Sequence, residues 1–74
     1  MATNDVERAQ AQKRTLDNRA HLRVGDPVLF YRKSGYTLTP YEALVSALFP
    51  ESDTAQIVYL GQTTRTHLAN LVRR

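Results

Sequence analysis

The sequence contains no cysteine and no tryptophan, and only three glycines, three prolines and one methionine among 74 residues. Without cysteine, disulfide staples, thiolate zinc sites and thiol catalysis are excluded. An unstapled chain is compatible with a reducing compartment, so an intracellular setting (cytoplasm, nucleus or virion) is expected over a secreted one. Long apolar runs are also missing. The longest, Pro27–Tyr31 and Ala43–Phe49, are too short to span a bilayer as a helix, and no membrane partner is expected. Met1–Asp5 is polar and offers no apolar segment for a signal peptide. The chain has room for one domain with a thin core, because a chain this short buries only ~60% of its unfolded surface.

Reactive constellations are equally scarce. The two histidines, His21 and His67, fall in different segments with no acidic partner at a ligand spacing. Asp17, Asp26, Glu42, Glu51 and Asp53 are scattered, with Asp26, Glu51 and Asp53 in turns and Glu42 on the solvent side of a strand. No glycine-rich phosphate loop, nucleophile elbow or triad order is present. We therefore expect no enzyme, no catalytic residue, no metal, no cofactor and no small-molecule substrate.

The chain changes character at about Leu22. Residues 4 to 20 lack Gly and Pro and are rich in Ala, Gln, Arg and Glu, which are helix formers. Asn4 is placed to cap that helix, with Glu7 three residues on. Asp5 and Glu7 lie early and Arg14 and Arg19 late, as the helix dipole prefers. Val6, Ala9, Leu16 and Ala20 form a poor apolar stripe interrupted by Lys13, so the helix needs a partner or the remainder of the chain to order it.

Beyond Leu22 the periodicity becomes that of strands. Val24-Gly25-Asp26-Pro27 is a turn signature. Val28–Lys33 reads as a strand, Ser34–Pro40 as a loop, and Tyr41–Phe49 as the longest strand, with Tyr41, Ala43, Val45, Ala47 and Phe49 on one face. Thr54–Leu60 follows after the polar turn Pro50–Asp53, and Gly61-Gln62 turns into Thr63–Leu68. Ala69–Val72 is a helical turn or a closing strand. Turns every 8 to 12 residues between short strands point to a small barrel, which hides the edges that so few strands would otherwise expose. The expected domains are a basic helix and linker over 1–22 and a barrel over 23–74.

Two surfaces follow from this pattern. If Val28, Phe30, Ala43, Val45, Ala47, Ile57 and Tyr59 point inward, alternation sends Leu29, Tyr31, Leu44, Leu48, Val58 and Leu60 outward. Either the helix or another part of the sheet covers them, or they form a protein–protein face. The net charge of +3 permits nucleic acid without demanding it. Arg19, Arg23, Arg32, Lys33, Arg65, Arg73 and Arg74 are the candidate phosphate contacts, with Tyr31, Tyr36 and Tyr41 near them in sequence for stacking. An aromatic cage for a modified side chain, as in Tudor-like readers, would need Tyr31, Tyr36 and Tyr59 to converge.

The stretch Leu22-Arg23-Val24-Gly25-Asp26-Pro27-Val28-Leu29-Phe30 resembles the opening of the C-terminal domain of retroviral and retrotransposon integrases, where Val-Gly-Asp-x-Val-Leu begins an SH3-like barrel. It is also similar to the opening of Tudor-like and KOW-like barrels. The basic helix Val6–Arg19 stands where that family has a linker helix, and Tyr41-Glu42-Ala43-Leu44-Val45 where its second strand is expected. Thr66-His67-Leu68-Ala69-Asn70-Leu71-Val72-Arg73-Arg74 is similar to its close. The resemblance implies a mainly-β, SH3-like five-stranded barrel preceded by one α-helix. It also implies a free-standing or excised module that binds nucleic acid without sequence preference and assists assembly, with Lys33, Arg65, Arg73 and Arg74 on the DNA backbone. A structural or adaptor module, such as a phage or viral assembly component, is the other expectation. It would dock a protein partner or a second copy through the apolar outer face and the helix.

Overall fold

The computed structural model describes residues 2–74, with side chains from Asp5 onward. Helix α1 runs Ala2–His21, uninterrupted by Gly or Pro, with Asp5 in its first turn and Arg19 and His21 in its last. The helix starts at Ala2, so Asn4 lies within its first turn and not at the expected cap position. Leu22 N–H closes the helix on the Asn18 carbonyl at 2.8 Å. The Asp26 carboxylate then accepts from the Arg23 N–H at 2.9 Å, which shapes the turn into the sheet.

Five strands follow: β1 Pro27–Ser34, β2 Thr37–Phe49, β3 Thr54–Tyr59, β4 Gln62–His67 and β5 Leu71–Arg73. They form one antiparallel sheet in the order β4-β3-β2-β1-β5. The protein is therefore mainly β, with one N-terminal helix, as the sequence led us to expect. Among the described residues the ladder ends at β4 on one side and β5 on the other, and the 3-10 turn Leu68–Asn70 joins those two edges. Val28, Phe30, Ala43, Val45, Ala55, Ile57, Tyr59 and Leu71 meet Leu22 and Leu68 in one buried cluster. Inward residues from four strands share that cluster, so the sheet wraps around its own core.

Three details differ from the sequence reading. Residues 34 to 40 are no loop. Gly35 takes φ +64° in a two-residue turn, and β2 begins at Thr37. Pro40 sits inside β2 opposite Tyr31. It is tolerated because β3 pairs with β2 only from Leu44 onward, so the side of Pro40 that lacks an N–H has no neighbouring strand. The β3–β4 turn is Leu60-Gly61, one residue earlier than expected, with Tyr59 facing Gln62. Both turn residues are left-handed, at φ 49° and 72°.

The third difference changes a face. Val45 pairs with Ile57 and Ala47 with Gln56, so Ser46 is a bulge. One extra residue inverts the inside–outside alternation beyond it. Ala47 and Phe49 therefore do not continue the inward row of Tyr41, Ala43 and Val45. Leu48, expected outside, packs against the core instead.

Candidate interaction surfaces

The helix meets the sheet by a face that hydropathy does not mark. Ala11, Thr15 and Asn18 are its half-buried and buried positions, and Leu22 just past its end continues the same face. Asn18 is 3% exposed, and its Nδ2 donates to the Leu68 carbonyl at 2.7 Å and the Leu71 carbonyl at 2.8 Å. Arg14 Nε donates to the Ala69 carbonyl at 2.8 Å. A polar seam thus fixes the helix to the 3-10 turn and to β5. The Val6–Leu16 stripe, about half a turn away around the helix, faces solvent, with Leu16 56% exposed. The helix does not cover the outer sheet face.

Most of the candidate phosphate contacts serve inside the molecule. Arg73 grips Asp17 of α1 with Nε and Nη2, at 3.2 and 3.3 Å. Arg74 donates to Glu42 of β2. Arg19 lies 3.6 Å from the Asp53 carboxylate, too far for a hydrogen bond, and that buried Oδ1 accepts none. Arg65 stacks on the Phe49 ring at 4.0 Å and donates to Thr54 and Ser52. Arg32 Nη1 donates to the Tyr59 hydroxyl at 3.2 Å. Among the described residues, Arg23 and Lys33 have no carboxylate partner. Arg23 precedes β1 and Lys33 lies near its far end, so these two form no single row of unpaired cations.

The apolar candidates divide. Leu44 and Val58 are cross-strand partners on the outer face, 53% and 40% exposed. Leu29, on the same side of the sheet, is half-buried and pairs with the exposed Val72. Tyr31 is also half-buried there. Leu60 is exposed, but at the β3–β4 turn rather than in a strand. Leu48 belongs to the core side. Tyr31, Tyr36 and Tyr59 do not converge: Tyr59 is buried against Phe30, Tyr31 faces out, and Tyr36 stands fully exposed at the β1–β2 tip beside Leu38 and Lys33. The aromatics that meet are Phe30, Tyr41 and Tyr59, at 5.1 and 5.5 Å between rings. They form a packed cluster in the core, with no cage open to a ligand.

His21 lies 3.9 Å from Asp17, beyond hydrogen-bond reach, while His67 Nδ1 accepts from the Ala69 N–H at 3.0 Å and caps the 3-10 turn. Among the described residues no three His, Asp or Glu side chains gather into a metal-binding group, and no helix is long and apolar enough to cross a membrane. Comparison with protein families, with curated proteins and with solved structures finds no match.

Proposed function

We propose that this protein is a non-catalytic assembly module that pairs with a second copy of itself through the outer face of its sheet. The observation that carries the reading is the adjacent pair Leu44 and Val58. They lie side by side on β2 and β3, open to water, with the helix packed elsewhere. Exposed apolar patches on small domains mark protein contacts, and a twofold pairing of this face with a second copy is the simplest assembly that buries it. Light scattering tests this: the purified chain self-associates with concentration, and Leu44→Glu returns it to a monomer. A wild-type chain that stays monomeric at every concentration overturns the reading.

A nucleic-acid reading has its own observation. Lys33 stands beside the fully exposed Tyr36 at a hairpin tip, a cation next to a stacking surface. Anisotropy with single-stranded and duplex oligonucleotides tests it. Affinity falling steeply with salt and lost in Lys33→Glu supports it, and salt-independent or undetectable binding removes it.

A further inference from the structure

We infer that the groove between α1 and β5 is a docking site for an acidic peptide in extended conformation. The inference stands apart from the outer-face reading and rests on different residues. The groove encloses about 340 Å³ and is lined by Lys13, Arg14 and Arg73 against the single carboxylate of Asp17, over a floor that includes Leu71 and Val72. Arg73 already neutralises Asp17. The positive charge of Lys13 and Arg14 is therefore left uncompensated within the groove, and its complement is an anionic chain.

The backbone of β5 indicates the form such a chain takes. β5 is an edge strand. Arg74 N–H donates to the Pro27 carbonyl, and Val72 opposes Leu29. Antiparallel pairs alternate, so Val72 and Arg74 bond towards β1 while Leu71 and Arg73 turn their N–H and C=O groups to the free edge. At Leu71 that edge is filled, the N–H by the Leu68 carbonyl and the C=O by Asn18. Two residues on, no partner meets the Arg73 N–H or C=O among the described residues. An extended segment bonding there makes one pair of backbone hydrogen bonds with Arg73 in the manner of an edge strand, with its carboxylates beside Lys13 and Arg14 and an apolar side chain over Val72. A phosphate chain matches the charge, yet it makes no use of a strand edge that offers both a donor and an acceptor.

The test is titration of the full chain with a short fluorescent peptide of alternating Glu and Val. A Lys–Val peptide and a single-stranded oligonucleotide serve as comparators, and backbone amide NMR locates the contact. The expected result is salt-sensitive binding of the Glu–Val peptide alone, with the Arg73 amide shifting. Lys13→Glu, an exposed position that leaves thermal melting unchanged, weakens that binding about fivefold. No binding of the Glu–Val peptide, equal binding of the Lys–Val peptide, or amide shifts confined to Leu44 and Val58 overturns the inference. Occupation of the groove by the oligonucleotide and not the peptide reassigns it to phosphate.

Discussion

Asn18 is the side chain through which helix and sheet are joined. It is buried and spans two carbonyls that have no other side-chain donor among the described residues. Asn18→Ala strands the Leu71 carbonyl and leaves the Leu68 carbonyl with only the Leu71 N–H, and a cost of about 1–2 kcal/mol is expected in urea unfolding; a change below half of that contradicts this role. Leu60 presents the opposite case. It holds φ 49° in a turn that favours Asn or Gly, and its side chain is exposed. Leu60→Asn relieves that strain, raising stability by about 0.5–1 kcal/mol in the same assay. The Gly61 turn is visible in sequence because glycine announces it, whereas a leucine at positive φ carries no signal. Asn18 was hidden for a related reason. Hydropathy selects Val6, Ala9, Leu16 and Ala20 as the packing stripe, while the helix docks by hydrogen bonds on nearly the reverse side.

At the scale of elements, the bulge at Ser46 decides which leucine of β2 is structural. Leu44 precedes it and faces out; Leu48 follows it and packs on the core. Leu48→Ser should cost about 1–2 kcal/mol and Leu44→Ser less than about 0.5 kcal/mol by thermal or urea unfolding. Equal costs would mean that the alternation runs unbroken through β2. Strict alternation reads the first half of that strand correctly, along with Ala55, Ile57 and Tyr59 on β3, because each runs in a regular register. It fails where one extra residue enters, since nothing about Ser46 itself marks a bulge. The helix and the first four strands were readable from composition and period. The closing segment reads equally as a helical turn or a strand, and the β1–β2 and β3–β4 turns fall elsewhere than the sequence suggests. The extension of β2 back to Thr37 was not readable, because Pro40 resembles a loop residue until one sees that no strand lies on its far side.

For the whole molecule, internal pairing redirects the basic residues. Arg19 and Arg73 hold the helix to the sheet region, and Arg74 ties the chain end to β2. Sequence lists these side chains by type, but it cannot show that their charges are met from within by Asp53, Asp17 and Glu42, which are distant along the chain. Among the apolar residues the fold leaves exposed, Leu44 and Val58 stand side by side on the side of the sheet the helix does not cover. The most direct measurement is therefore light scattering of the purified chain across a concentration series, beside Leu44→Glu at matched concentration and salt. The account predicts a wild-type mass that rises with concentration towards that of a dimer, and a folded variant that stays monomeric. A wild-type chain that remains monomeric throughout, or a variant that associates as the wild type does, would contradict it.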